Sequence, residues 1–94
     1  MKVEWTLRAE VDLLDHADFI SQDSPGAAIA QILEVRTQVE QLADQPFLGR
    51  IGRLPRTREL VIARSPYIVA YAVNETLSTV FVIRVMHSSQ QWKL

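Results

Sequence analysis

The chain has 94 residues, of which 48% are hydrophobic and 22% charged, and its formal net charge is −1. These values are typical of one small folded domain over residues 1–94, and they argue against a disordered tail. No apolar run approaches the roughly 20 residues needed to span a membrane, and the early charges at Lys2 and Glu4 argue against a signal peptide. Because the chain has no Cys and two His, we expect no disulfide framework, no metal site and no cofactor. We also expect a cytoplasmic protein.

The first half of the chain predicts one strand followed by two helices. Residues 3–7 alternate apolar and polar side chains, as in a short strand with one buried face. The apolar spacing then becomes helical and predicts a helix over about residues 8–21. Ser24 and Pro25 form a typical helix start, and the second helix continues with one apolar stripe until Pro46 ends it.

The second half predicts a loop followed by three strands. The segment 47–55 contains Gly and Pro and reads as an ordered loop, and the strands cover 57–63, 67–73 and 79–87, with a turn between each pair. The order strand, helix, helix, strand, strand, strand predicts an α+β fold. In it a helical hairpin packs on one face of a small, mainly antiparallel sheet, and we expect function on the other, partly open face.

The near-neutral total charge conceals an uneven distribution. Residues 1–45 hold three basic and nine acidic side chains, which is 3 − 9 = −6. Residues 46–94 hold seven basic and two acidic side chains, which is 7 − 2 = +5. The basic half therefore predicts a polyanionic or acidic partner.

Five arginines of the basic half are candidate binding residues. Their guanidinium groups would face phosphates or an acidic partner surface. The alternative is a solvated loop whose arginines can pair with the acidic helices of the same chain. Both interpretations remain open from the sequence. The five residues are Arg50, Arg53, Arg56, Arg58 and Arg64.

Two residues of the last predicted strand are further candidates. Arg84 interrupts an apolar run, where a charge is costly unless it is paired or aimed into a cleft. A structural ion pair, for instance with Glu59, and a ligand contact both remain open. His87 is the best acid–base candidate if the protein is a nuclease, and the alternative is a solvated or partner-facing side chain.

Aromatic side chains complete the candidate set. Tyr67 and Tyr71 share one strand face, where they would either stack on bases or pack against the helices. Trp92 lies near the C-terminus and would either anchor the tail or contact a partner. The sequence does not choose between these roles.

Short motifs along nearly the whole chain, in a fixed order and spacing, resemble one known superfamily. They are Val3–Thr6, Ala9, Asp12–Leu13, Phe19–Ile20, Asp23–Pro25, Leu42–Pro46, Gly49–Arg50, Thr57–Val61, Pro66–Tyr71, Ile83–His87 and Trp92. The chain resembles the RelE/ParE superfamily, the toxins of bacterial type II toxin–antitoxin systems. The resemblance implies a single toxin domain that a cognate antitoxin neutralises.

The superfamily divides by mechanism. RelE-like members cut messenger RNA on the ribosome and carry cationic residues around the scissile phosphate. Here Ile68 stands where those members have Arg, Glu59 and Val61 stand near their Lys positions, and 88–91 are Ser and Gln. These departures favour the ParE-like branch, whose members inhibit DNA gyrase and cause growth arrest.

Two alternatives remain open. The first is a ribosome-dependent RNase that would use Arg58, Arg64, Arg84 and His87. The second is an inactive protein of the same fold that only binds its partner.

Overall fold

The computed structural model describes residues 1–89, so Trp92 lies outside the described residues. No helix in this part of the chain is long and apolar enough to cross a membrane. The elements are β1 (Lys2–Trp5), α1 (Leu7–Ser21), α2 (Pro25–Glu40), a 3₁₀ turn (Gln41–Ala43), β2 (Arg50–Ile51), β3 (Arg58–Val61), β4 (Tyr67–Asn74) and β5 (Thr79–His87).

The strands form one five-stranded sheet in the order β1-β5-β4-β3-β2. β1 runs parallel to β5, and every other pair is antiparallel. The predicted α+β fold is confirmed, because both helices pack on this mostly antiparallel sheet. The core joins Leu13 of α1 and Val35 of α2 to Val69 of β4 and Val82 of β5.

Two local predictions differ from the structure. The predicted loop 47–55 contains β2, a two-residue strand that pairs with β3. Leu7 was expected on the buried face of the first strand, but it is the first residue of α1 and is exposed. The helix begins there because the Thr6 side chain caps it, accepting a hydrogen bond from the Ala9 backbone N–H at 3.2 Å.

The start of α2 follows the sequence prediction. The Ser24 hydroxyl accepts a hydrogen bond from the Ala27 backbone N–H at 3.4 Å, and Pro25 occupies the first turn, where no donor is needed. Ala28, Val35 and Val39 are the buried residues of the helix. This stripe holds α2 against the sheet.

A side chain of α1 completes the edge of β5 where β1 ends. β1 pairs with β5 only as far as Val82, so the backbone of Val85 has no strand on that side. Asp12 Oδ2 accepts the Val85 backbone N–H at 3.0 Å and Arg84 Nε at 2.8 Å. His16, one turn further along α1, donates from Nε2 to the Val85 carbonyl at 3.1 Å. The helix thus takes the place of a strand.

A β-bulge brings Arg84 to this edge. Ala70 pairs with Arg84, whereas Tyr71 pairs with Val82, so Ile83 is an extra residue of β5. The core side chains of β5 are Val80 and Val82 before the bulge and Val85 after it. The bulge therefore keeps one apolar face on both sides of the extra residue.

A second buried contact holds the chain between α2 and β2. The Tyr71 hydroxyl, fully buried, accepts the Gly49 backbone N–H at 2.8 Å. A Cβ on Gly49 would lie 2.7 Å from the Glu59 carbonyl oxygen and 2.7 Å from the Tyr71 hydroxyl. Glycine is required here because the backbone approaches both groups closely.

Replacing Asp12 tests the edge contact. We expect Asp12→Ala to lower the free energy of unfolding by about 3 kcal/mol, because Arg84 and the Val85 N–H lose their acceptor in a nearly buried place. Arg8→Ala is the matched control, since Arg8 contacts the same carboxylate from an exposed position and should cost less than about 1 kcal/mol. Equal losses in urea denaturation would contradict a special role for the edge contact.

Removing one hydroxyl tests the Gly49 contact. Tyr71→Phe should cost about 1–3 kcal/mol of unfolding free energy, because it leaves a buried N–H without an acceptor. Tyr67→Phe is the control, because Tyr67 is also buried but its hydroxyl has no such backbone partner among the described residues. The prediction is wrong if the two variants unfold at the same denaturant concentration.

Candidate functional site

A buried carboxylate organises the basic segment around β2 and β3. The Glu59 side chain is 2% exposed. Its Oε1 accepts from Arg50 Nε at 3.2 Å and Nη2 at 3.0 Å. Its Oε2 accepts from the Arg53 backbone N–H at 2.9 Å and from Arg53 Nε at 3.1 Å. Two arginines of the candidate set are therefore held in place by one internal anion.

Opposing effects act on the pKa of Glu59. Burial alone would raise this pKa, but hydrogen bonds from the Arg53 side chain and backbone and from Arg50 outweigh burial. The pKa of Glu59 is therefore lowered, and the carboxylate is ionised at neutral pH. Glu59 therefore stays negatively charged near neutral pH.

Arg58 is positioned by backbone and aromatic contacts. Its Nη1 donates to the Gly49 carbonyl at 2.8 Å, and its guanidinium lies 5.1 Å from the centre of the Phe47 ring. Neither partner is an anion, so the positive charge of Arg58 is not neutralised by these contacts. The close approach of Gly49 described above places the carbonyl for this bond.

Arg56 has an unusual backbone and no interaction partner among residues 1–89. Its φ is 60°, in the left-handed region that costs a non-glycine residue about 1 kcal/mol. It is exposed at the tip of the segment that joins β2 to β3. A strained, unpaired arginine at such a place is a candidate for contact with a partner.

These residues border an open groove of about 490 Å³, the β2–β3 groove. Its apolar lining includes the exposed side chains of Phe47 and Ile51. Residues 50–59 contain four arginines and one glutamate, so this segment carries a net charge of 4 − 1 = +3. The groove can accept an apolar side chain flanked by acidic groups. It is lined by Phe47, Ile51–Arg58 and Val73.

The other arginines make ion pairs within the chain. Arg64 lies in the turn after β3, with a φ of 61°, and pairs with Glu34 of α2. Arg84 forms an ion pair, but with Asp12 of α1 rather than with Glu59. Of the alternatives left open by the sequence, the internal pairings are thus observed for both residues.

The two tyrosines are buried. Tyr67 and Tyr71 belong to the core, and burial raises the pKa of both hydroxyls. In this structure neither ring is available for stacking on a base or for contact with a partner. Packing against the helices is the role that the structure shows.

His87 lies at the end of β5, beside Tyr67. The two rings meet edge to face at 5.8 Å, and His87 Nδ1 accepts the Ser89 backbone N–H at 3.1 Å. The ring of His16 in α1 also contacts Tyr67, with the two ring centres 4.8 Å apart. His87 thus caps an aromatic cluster while remaining half-buried.

Two residues of the RNase alternative, Arg58 and His87, lie at different levels along the sheet. Arg58 pairs with Tyr71 and His87 with Tyr67, so they are four residues apart along β4, about 13 Å at 3.3 Å per residue. They also lie on the strands to either side of β4. Arg84 and Arg64 are each held by a carboxylate, as described above.

Sequence reasoning identified the arginines but not the apolar part of the groove. Phe47 and Ile51 are exposed, although both are large apolar residues. The sequence signal that could have identified them as exposed is their position in a basic segment rich in Gly and Pro, for which no buried face is predicted. The internal partner of Arg50 and Arg53 was also missed, because Glu59 is the neighbour of β2 only after the chain has folded.

Comparison with known proteins identifies relatives over most of the chain. Residues 3–92 match the family model described as ParE toxin of type II toxin–antitoxin system, parDE. A Sinorhizobium fredii protein named "Putative toxin Y4kP" is 40% identical over 97% of this chain and 92% of its own length. "Toxin RelE2" of Caulobacter vibrioides is 37% identical over 95% of this chain and 97% of its own length.

Solved structures share the fold. The chromosomal ParDE system of P. aeruginosa superimposes with a TM-score of 0.81 and 23% identity, over 93% of this chain and 95% of that chain. The intact E. coli RelBE toxin–antitoxin complex superimposes with a TM-score of 0.64 and 15% identity, over 95% of this chain and 98% of that chain. At these identities the match concerns the architecture.

The lowered pKa of Glu59 predicts a pH dependence of stability. A carboxyl group whose pKa is lower in the folded state stabilises the fold above its unfolded value of 4.5, and this contribution is lost as the pH falls through the folded value. We expect Glu59→Gln to cost about 1–3 kcal/mol at pH 7 and to make the loss of stability between pH 5 and pH 3 smaller.

Denaturation in urea at pH 7, 5, 4 and 3 measures both effects. Glu75→Gln is the control, because Glu75 is exposed in the turn between β4 and β5, and it should change the unfolding free energy by less than about 0.5 kcal/mol. An unchanged acid profile for Glu59→Gln would show that the buried ion pairs do not contribute.

Proposed function

The chain belongs to the ParE toxin family of type II toxin–antitoxin systems, and we propose that it arrests growth by binding DNA gyrase in the cytoplasm. It acts as a binding protein in this proposal and not as a hydrolase. A cognate antitoxin neutralises it. The observation that carries the gyrase proposal is the family match over residues 3–92, to which the β2–β3 groove adds a candidate contact surface.

The groove supports protein binding better than RNA cleavage. Its lining combines exposed Phe47 and Ile51 with a segment of net charge +3, as expected for a site that receives apolar and acidic side chains. Cleavage of RNA needs several cationic groups and an acid–base pair around one phosphate. Here Arg58 and His87 lie about 13 Å apart along β4, at roughly 3.3 Å per residue.

Arg56 is the residue most directly available to the target. Its exposed position, its left-handed backbone and its lack of a partner among residues 1–89 support a contact that forms only in the complex. Arginines at protein interfaces often contribute a large part of the binding free energy. In this proposal the left-handed backbone at Arg56 is kept, despite its energetic cost, because the side chain contacts the target.

Assays with purified protein test the proposal. DNA supercoiling by gyrase and message cleavage in a translating system are measured side by side with increasing amounts of the protein. Inhibition of supercoiling without cleavage is expected. Cleavage without inhibition would establish the RNase alternative, toward which the name of the Caulobacter relative points. Absence of both effects and of growth arrest would establish an inactive toxin fold.

A substitution at Arg56 separates binding from folding. Arg56→Gly should leave stability unchanged or raise it by up to about 1 kcal/mol, because glycine adopts the left-handed region freely. It should weaken gyrase inhibition about tenfold. Leu77→Gly is the control, since Leu77 is exposed in the turn between β4 and β5. Full inhibition by a stable Arg56→Gly protein would remove Arg56 from the contact surface.

A further inference from the structure

Arg58 is a half-buried cation that lines the β2–β3 groove. Its Nη1 donates to the Gly49 carbonyl at 2.8 Å, and its guanidinium lies over the Phe47 ring. The adjacent Glu59 points to the opposite face of the sheet, because side chains alternate along a strand, and its carboxylate is bound by two other arginines. Among residues 1–89, Arg58 therefore has no anionic partner.

The surroundings of Arg58 favour contact with an external anion. A guanidinium that is partly removed from water without a counter-ion carries a desolvation cost that nothing offsets. Arginine has five N–H donors, and the contacts within residues 1–89 use one of those of Arg58. The remaining N–H groups can donate to an anionic acceptor that a partner supplies.

The direction of the Arg58 side chain depends on the backbone of Gly49. The Tyr71 hydroxyl accepts the Gly49 N–H at 2.8 Å, and Arg58 donates to the Gly49 carbonyl at 2.8 Å. Arg58 and Tyr71 are also cross-strand neighbours in β3 and β4. The buried hydroxyl thus holds Gly49 in place, and Gly49 holds the guanidinium.

Tyr71 itself is uncharged at neutral pH. Burial raises the pKa of its hydroxyl, against the opposing effects of the Gly49 hydrogen bond and the charge of Arg58. The hydroxyl therefore does not neutralise Arg58, and the full positive charge stays available to a partner.

The apolar lining of the groove favours a protein segment over a nucleic acid. Ile51, Leu54 and Val73 supply aliphatic surface, on which apolar side chains pack. Bases stack on aromatic rings, and Phe47 is the one aromatic ring among the described residues that line the groove. The Arg58 guanidinium already lies over that ring. A carboxylate beside an apolar side chain matches both the charge and the surface of the groove.

We propose that Arg58 binds a carboxylate in an acidic, apolar segment of gyrase, and that Tyr71 is the positioning residue for Arg58, acting through Gly49. This inference rests on the proposed function, because it requires gyrase as the target. It assigns to a fully buried tyrosine an effect on target affinity, in addition to its effect on stability.

A double-mutant cycle tests the positioning role. Titration calorimetry measures the affinity of the toxin for purified gyrase without DNA. Arg58→Ala should weaken binding about tenfold, and Tyr71→Phe should weaken it about fivefold. The double variant should bind within about twofold of Arg58→Ala, because Tyr71 has no guanidinium left to position.

Two control variants separate positioning from folding and from overall charge. Tyr67→Phe removes a buried hydroxyl outside the groove. Lys2→Ala removes a positive charge from β1, at the opposite edge of the sheet from β2. Both should leave the affinity for gyrase within about twofold. Circular dichroism and urea denaturation measure the folded fraction of each variant, and affinities are compared at equal concentrations of folded protein.

Arg58→Lys separates geometry from charge. Lysine keeps the charge but lacks the planar fork of donors, so it cannot hold the Gly49 carbonyl and a carboxylate in the same arrangement. We expect weaker binding of gyrase than by the unsubstituted toxin, with the salt dependence that Arg58→Ala loses. Full affinity of Arg58→Lys would show that only the charge matters, and would overturn the positioning role.

A duplex DNA oligonucleotide tests the alternative anion. The same calorimetry with this DNA alone should give no binding that depends on Arg58. Binding to the DNA that Arg58→Ala abolishes, or binding to gyrase only when DNA is present, would make a phosphate the recognised group and overturn the inference.

The other outcomes distinguish this inference from the proposed function. Gyrase binding that neither Arg58→Ala nor Tyr71→Phe weakens would overturn the inference and leave the proposed function intact. Additive losses in the double variant would overturn the positioning role of Tyr71. An unsubstituted toxin that neither binds gyrase nor inhibits supercoiling would contradict the proposed function, and this inference with it.

Discussion

The contact between Asp12 and the edge of β5 connects the two layers of the fold. β1 is too short to cover β5, so the Val85 N–H and carbonyl would lack partners beyond Val82. Asp12 and His16 bind these groups from one side of α1, and Asp12 also neutralises Arg84. Because side chains of α1 satisfy a sheet edge, these hydrogen bonds fix where α1 lies on the sheet. The position of α1 also places the His16 ring 4.8 Å from the ring of buried Tyr67.

Internal pairing determines which charges are left for partners. Several cations of the basic half are bound by carboxylates of the same chain: Arg50 and Arg53 by Glu59, Arg64 by Glu34, and Arg84 by Asp12. The positive charge that remains in the basic half is then concentrated around Arg56 and Arg58. The chain does divide into an acidic and a basic half, but internal ion pairs leave each half with fewer unpaired charges than the residue counts suggest.

The elements were predictable because their signals are local. Helical spacing, the Ser24-Pro25 start and strand alternation each depend on neighbours in the chain, and the structure contains both helices and the three later strands. β2 was not predicted, since two residues between glycines carry no periodic pattern and become a strand only by pairing with β3. Leu7 was placed in the wrong element because the cap at Thr6 outweighs an alternation of three apolar residues.

The candidate site was less predictable than the fold, because it depends on which distant residues meet. Arg84 was recognised as a buried charge that needs a partner, yet its carboxylate lies 72 residues away along the chain. The tyrosines shared a face as predicted, and packing against the helices then buried them. By itself the sequence determined both helices, the first strand and the three later strands, and the division of charge, since these follow from local order and composition. Its motifs also resembled the toxin superfamily. Only the tertiary structure decided which arginines remain available, because pairing between remote side chains is fixed when the hairpin docks on the sheet.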